Sequence, residues 1–510
     1  MTPAVLPLLL VLAAAPFPPG DAREEAEALL RAGKAPEARA RIEARLGAEP
    51  SPEAADRAAL LETLGRCLRA EGSLWDAEAA FGRALEARPD SFEAALGRGE
   101  TFLDLAAGAA EGPRASGAEV RALAADARRW LGAAAAIRPG DPRALLALAR
   151  ARILDLDFQG AAADLRALAE GASGVDPGVH HLLAAALRGA GDRASAAAAE
   201  AACLERDPGR TDAAALRVED LAAAGRPAEA RAAAVEALLR DPSADAVCQA
   251  LWKVDAGEGR FVALEEALLR VLGKHPEDPH LLYYLGHARL SGGRRDAALE
   301  AFRRKAALEP GNPAALLPVG RILVAKADLA GAEKAFEEAL SALPGGDAGL
   351  RTAMNGLESI GQQHGAARRF ADAERVFRRL TALDPGSSGY RMFLGLSLRR
   401  LGRAAEAEAC YREAAELAPF DGAPLNELGM LHLGCGREEE ARAALLRAAE
   451  EDPRFTWSCE TLGNLERAAG RPEKALGHYL EAHRRAAAYR DEEDRLKYRR
   501  FLDLCRHAVR

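Results

Sequence analysis

Ten histidines and seven cysteines are the side chains of this chain best suited to ligate a metal, attack a carbonyl or shuttle a proton. Their spacing does not assemble them. His180 and His181 are adjacent, so a helix points them to different sides, and the pair reads as solvated surface. His478 and His483 stand five positions apart, whereas ligands shared from one helix need three or four. Cys67, Cys203, Cys248, Cys410, Cys435, Cys459 and Cys505 are scattered, with no Cys-x-x-Cys. His432 precedes Cys435 and Cys505 precedes His507, but neither pair has further ligands close in sequence. The thiols therefore read as small buried apolar groups, and their odd number argues against a full disulfide framework. Paired carboxylates, as in "REEEARAALLRAAEEDP", fit solubilising helix faces with i,i+4 ion pairs. The chain has no Gly-x-x-x-x-Gly-Lys-Ser/Thr loop, no His-Glu-x-x-His and no Gly-x-Ser-x-Gly elbow. These residues predict no catalytic site, no metal and no cofactor, hence a chain that is not itself an enzyme.

The elements that would position any site are helices. Alanine is abundant, aromatic residues make up only 5%, and no stretch sustains the alternating β-branched pattern of a strand. The expected fold class is all-α. A net charge of −8 spread over 510 residues, with acidic and basic residues interspersed, leaves no basic face for a nucleic-acid partner.

The helices recur on a fixed step. Prolines stand at 208, 242, 276, 310 and 344, each 34 residues after the last, then at 385 after seven extra residues, and at 419 and 453. With only 27 prolines among 510 residues, such a run does not arise by chance. Twelve residues before most of them lies an alanine: Ala196, Ala230, Ala298, Ala332, Ala373, Ala407 and Ala441. Eight before the later ones lies a bulky residue: Phe302, Phe336, Phe377, Tyr411 and Leu445. A large residue followed by glycine opens many units, as in Leu64-Gly65, Leu285-Gly286, Leu394-Gly395 and Leu462-Gly463. Within each period two apolar runs at helical spacing are divided by short turns such as "SGGRRD" and "AGRPEK", so each unit is two antiparallel helices. Glycine in the first helix and alanine in the second let them approach, and the aromatic fills the gap against the next unit. Proline closes the second helix. One hairpin cannot bury its apolar face alone; stacking does so, which makes a solenoid.

This pattern of Leu/Gly, Ala, Phe or Tyr and closing Pro over 34 residues resembles the tetratricopeptide repeat. The clearest units are 58–91, 279–312, 313–346, 354–387, 388–421, 422–455 and 456–489, with degenerate copies over 24–52, 92–141 and 142–278. The resemblance implies a right-handed superhelical solenoid of about thirteen hairpins. Residues 23–278 form its degenerate part, 279–489 its well-formed part and 490–510 a capping helix. The insertion at 106–119 is expected as a loop between helices, and the extra residues near 345–353 as a slight bend. Departures from the family pattern include Arg289 where a tyrosine is expected and Trp252 where a small residue is expected.

In that family the first helix of each unit lines a concave groove, with its second, fifth, sixth and ninth positions facing inward. Carried onto this chain, those positions give His280, Tyr283, Tyr284 and His287, flanked by Gln249 and Lys253 on one side and Arg321 on the other. Further along come Asn355, Glu358 and Gln362, then Asn426, Trp457, Glu460 and Asn464. Amphipathic aromatics among amides and a few charges suit a surface that holds a protein or peptide segment. The lysine, asparagine and arginine clamp by which some members hold a carboxyl-terminal peptide is not reproduced. The resemblance thus implies a non-catalytic interaction scaffold, with an accessory or targeting subunit of an envelope enzyme or secretion complex as the alternative.

The first residues, "MTPAVLPLLLVLAAAPFPPGDA", carry an apolar core over 4–15 and small residues at Gly20 and Ala22. They predict a signal peptide over 1–22 and a periplasmic or secreted protein, with a cytoplasmic location if no export occurs. No other segment is apolar and long enough to span a membrane.

Overall fold

The computed structural model describes residues 21–48, 53–111, 116–171, 176–343 and 348–488. Every regular element among them is an α-helix, twenty-six in all, and sequential helices pack as thirteen pairs. The chain divides into two compact units, Met1–Tyr284 and Leu285–Arg510.

In order the pairs are α1 (Asp21–Arg31) with α2 (Ala35–Leu46), α3 (Ala54–Ala70) with α4 (Leu74–Ala87), and α5 (Phe92–Glu111) with α6 (Gly117–Ile137). Then come α7 (Pro142–Leu154) with α8 (Phe158–Gly171), α9 (Pro177–Gly189) with α10 (Arg193–Arg206), α11 (Thr211–Ala223) with α12 (Pro227–Arg240), and α13 (Asp245–Ala256) with α14 (Phe261–Leu272). Next are α15 (Pro279–Ser291) with α16 (Arg295–Leu308), α17 (Pro313–Ala325) with α18 (Leu329–Ala342), and α19 (Ala348–Ala366) with α20 (Phe370–Leu383). The last three are α21 (Ser388–Arg400) with α22 (Ala404–Leu417), α23 (Gly422–Gly434) with α24 (Glu438–Glu451), and α25 (Trp457–Ala468) with α26 (Pro472–Ala488). The all-α expectation and the count of hairpins both hold.

Local chemistry sets the ends. Proline stands at the first turn of α7, α9 and α17, where its missing N–H costs nothing, and the preceding Asp141, Asp176 and Asn312 accept from the free backbone N–H groups. The periodic Pro208, Pro242, Pro310, Pro385, Pro419 and Pro453 each fall just past the end of a second helix. Where the turn inside a hairpin is described it holds one left-handed residue, and Gly293, Gly402, Gly436 and Gly470 supply it at φ between 71° and 78°.

The core is a row of rings seated on glycines. Phe81 fills the space that a Cβ on Gly65 of its own hairpin would take, and equally that of Gly97 in the next hairpin. Phe336 does the same between Gly320 and Gly356. The aromatic therefore locks its own hairpin as well as bridging to the next one, where the sequence pattern predicts only the bridge.

One expectation is corrected. Residues 106–111 continue α5 and 117–119 belong to α6, so the described ends of the insertion are helical where a loop is expected. Its alanine-rich composition favours helix, which also satisfies its backbone groups. Residues 348–353 form the start of α19, the first helix of their hairpin. Within the insertion 112–115 lie outside the described residues, as do 344–347, the signal-peptide core and the capping segment 490–510. Among the described residues no helix is long and apolar enough to cross a membrane.

Candidate binding surfaces

Register sets what the first helices present, and the expected groove residues fall into separate patches. In the first unit, α13 and the start of α15 place Trp252 and Tyr284 with ring centroids 6.5 Å apart; Tyr283 stands edge-on to Tyr284 at 5.5 Å and His280 at 5.2 Å. Asp245 ties the patch together. Its carboxylate accepts from the Tyr284 hydroxyl at 2.7 Å and from the Gln249 amide, and lies 3.3 Å from His280 Nε2. Burial, reinforced by that carboxylate, pushes the Tyr284 phenol well above its ordinary pKa. Lys253 turns to Glu219 at 2.7 Å. Asp245 and Trp252 are the members of this patch that the groove register does not pick out.

In the second unit His287 packs edge-on against Phe302 at 5.0 Å, and burial, with the Arg321 charge, lowers its basicity. Arg321 and Asn355, both exposed, line one cavity of about 390 Å³ with Val324, Thr352 and Ser359. Glu358 is taken up by Gln362 one turn on, at 3.0 Å. Asn426 is buried and accepts from Thr461 at 3.2 Å, so it ties α23 to α25 rather than facing a groove. Asn464 accepts from the Tyr479 hydroxyl at 2.7 Å. Trp457 stays exposed beside Phe455, and Glu460 is half-buried on the same helix.

A further cavity lies in the degenerate part, where no groove residue is expected. First helices α3, α5, α7 and α9 enclose about 420 Å³ lined by Leu103, Ala107, Ala147, Ile153, Leu154 and Leu182. At its edge Arg69 is held by Glu100 and by Asp104, the latter at 2.6 Å. Arg150 lines the cavity from the exposed face of α7 and makes no ion pair among the described residues.

The histidine pair is not solvated surface. His180 is buried, and His181 Nδ1 lies 2.9 Å from Oε2 of Glu200, which is wholly buried. Glu200 also meets Arg188 at 3.1 Å; Arg188 in turn binds the buried Asp220, as does Arg193 at 2.9 Å. Burial raises the pKa of the Glu200 carboxyl. The step of 34 explains the misreading. Position 180 shares its register with Ala214, Cys248 and Leu282, all buried. Of the cysteines, Cys67, Cys203, Cys248 and Cys459 are buried as expected, with the Cys67 thiol pushed up to about 11 and Cys248 to about 12 by burial. Cys435 is exposed instead, and Cys505 lies outside the described residues.

Packed hairpins on a fixed step, locked by small residues under rings, define a helical-repeat protein. The model of the tetratricopeptide-repeat family matches residues 63–112, 263–313, 285–347, 359–422 and 398–455. The chain is a tetratricopeptide-repeat protein, and the repeat marks it as a scaffold for protein interaction. No curated protein matches it. Among solved structures it is similar to Naa15/Naa10 bound to HypK-THB, at 14% identity and TM-score 0.36, over 96% of this chain and 80% of that one. It is also similar to yeast Tom70 at 15% identity and TM-score 0.29, over 95% of each chain. YrrB, described as a TPR protein with an unusual peptide-binding site, shares 19% identity and a TM-score of 0.30 over 38% of this chain and 96% of its own.

Proposed function

We propose that the chain is a non-catalytic scaffold whose first helices hold a peptide segment of a protein partner, and that this segment is apolar with acidic residues beside it. The observation that carries the reading is a pair of first-helix cavities, one within each unit, each lined by an arginine that makes no ion pair among the described residues: Arg150 and Arg321. Leu103, Ile153, Leu154 and Leu182 in the first cavity, and Val324 and Phe336 among polar residues in the second, take up apolar side-chain area, while an arginine left without a carboxylate selects for one on the partner.

Fluorescent peptides alternating leucine with glutamate, and matched peptides with lysine in place of glutamate, test it against the full chain. The acidic set should bind with a salt-sensitive affinity that falls at least tenfold in Arg150→Glu or Arg321→Glu, and the basic set should not bind. Affinity indifferent to both substitutions would remove the reading. The aromatic patch is tested separately: recovery of an identified partner unchanged by Tyr283→Ala/Tyr284→Ala would strike those residues from the surface.

Export to the periplasm or the medium belongs to the same proposal and is supported by the apolar core at 4–15. Intact mass of the mature protein reads it directly, since a retained Met1 or Thr2 would refute cleavage after Ala22.

A further inference from the structure

We propose that Glu408, His432 and Glu440 form a binding site for one divalent ion of the Zn²⁺ or Co²⁺ class, linking two successive hairpins. Sequence spacing hides the site, because the three residues sit on α22, the last turn of α23 and the first turn of α24. One ligand atom from each lies within 4.8 Å of the others.

The imidazole makes this more than a pair of acidic residues. His432 is only 3% exposed, and its Nδ1 is buried with no hydrogen-bond partner, 3.5 Å from Oε2 of Glu440. A buried ring nitrogen left unpaired beside carboxylates calls for an unseen occupant. Zinc bound tetrahedrally at 2.0–2.1 Å needs ligand atoms about 3.3 Å apart; His432 and Glu440 stand 3.5 Å apart already, and Glu408, within 4.8 Å of both, closes in by a side-chain adjustment. Imidazole with carboxylates favours a borderline metal over calcium or magnesium, which prefer all-oxygen sites.

At present Arg437 spans the carboxylates, 2.8 Å from Glu408 and 3.0 Å from Glu440, and Arg412 meets the other oxygen of Glu408. One repeat earlier the same register holds Glu374, Leu398 and Glu406, and Arg403 joins that pair of carboxylates at 2.8 and 2.6 Å. The arginine clasp therefore forms with leucine in place of the imidazole, and it does not account for His432. Two repeats earlier His364 faces Asp372 at 4.0 Å, where the shorter side chain leaves the gap wider. An ion at the later site takes over from Arg437, whose guanidinium is partly exposed and can swing to solvent.

The full chain, untagged and carrying Cys435→Ser so that the nearby thiol takes no part, is titrated with Co²⁺ and with Zn²⁺. One equivalent of Co²⁺ should bind with a visible d–d spectrum, and Zn²⁺ should raise the melting temperature. His432→Leu, which copies the register of Leu398 and should leave the far-UV circular dichroism unchanged, should abolish both effects. Glu440→Gln, at an exposed position, should weaken binding at least tenfold, and Arg437→Ala should tighten it. A parent protein that binds no Co²⁺, or a His432→Leu chain that binds it equally well, would overturn the site; an Arg437→Ala chain of unchanged affinity would overturn the displacement.

Discussion

Phe302 occupies the space that a side chain on Gly286 would need: a Cβ built on Gly286 falls 2.6 Å from the ring's Cε1 and Cζ. The ring is wholly buried, so it cannot retreat without disturbing the hairpin. Gly286→Ala should therefore destabilise the second unit by about 1–3 kcal/mol through overpacking. Gly132, inside α6, meets nothing within 4 Å, and Gly132→Ala should stabilise by about 1 kcal/mol through helix propensity alone. Urea midpoints of the two variants should move in opposite directions. A Gly286→Ala chain no less stable than the parent would refute the packing role of Gly286.

The contrast shows what the sequence makes legible. Repeated glycines, prolines and rings reveal period, helix pairing and closure, because these depend on residue type at a fixed register. The period does not say which polar residue turns inward. Asn426 fits a groove position but is drawn into the interior by Thr461, and His180 looks like surface but shares its register with Leu282. The cavity around Arg150 lies where the repeat signature is weakest, so no motif points to it. Glu408, His432 and Glu440 come together only through folding across two hairpins. Comparing each residue with its equivalents one and two periods away gives signal that a motif search lacks.

The turn register yields a second prediction. Gly293, Gly402, Gly436 and Gly470 occupy the left-handed turn position, but Ala327 holds it at φ 60° and Arg368 at φ 59°. An L side chain there costs about 1–2 kcal/mol, partly offset in glycine by the greater entropy of the unfolded chain. Ala327→Gly should raise stability by about 0.5–1 kcal/mol, read as a higher melting temperature. A decrease would show that the turn is not strained.

His180 should make the fold acid-sensitive. Burial, with the Arg206 charge, lowers its pKa, and its Nε2 is buried without a partner. Below about pH 6.5 the unfolded chain takes up a proton that the folded chain refuses, so the stability this histidine allows is complete above that value and lost as pH falls through it. His180→Leu, matching the register of Leu282, should be more stable than the parent, by a margin that grows between pH 7 and pH 5. The difference between variant and parent isolates this residue from Glu200, whose raised pKa acts in the opposite sense. A margin independent of pH would show that folding does not lower the proton affinity of His180.

Asp255 is wholly buried at the end of α13, clasped by Arg231 of the preceding hairpin at 2.6 Å and by Arg260 of its own turn at 3.2 Å. Two periods on, the registers of Arg231 and Asp255 hold Leu299 and Leu323, both buried. The same interface can thus be built from ions or from hydrocarbon, which is the expected behaviour of a buried pair whose attraction is largely offset by desolvation. Asp255→Leu alone strands the Arg231 guanidinium and should cost about 3–5 kcal/mol. Arg231→Leu/Asp255→Leu should recover most of that loss, while Arg260, a third exposed, turns to solvent. Urea denaturation of the parent, both single variants and the double variant closes the cycle. A double variant as unstable as Asp255→Leu would show that this joint depends on its charges, and that the leucine pair two periods on is no substitute for them.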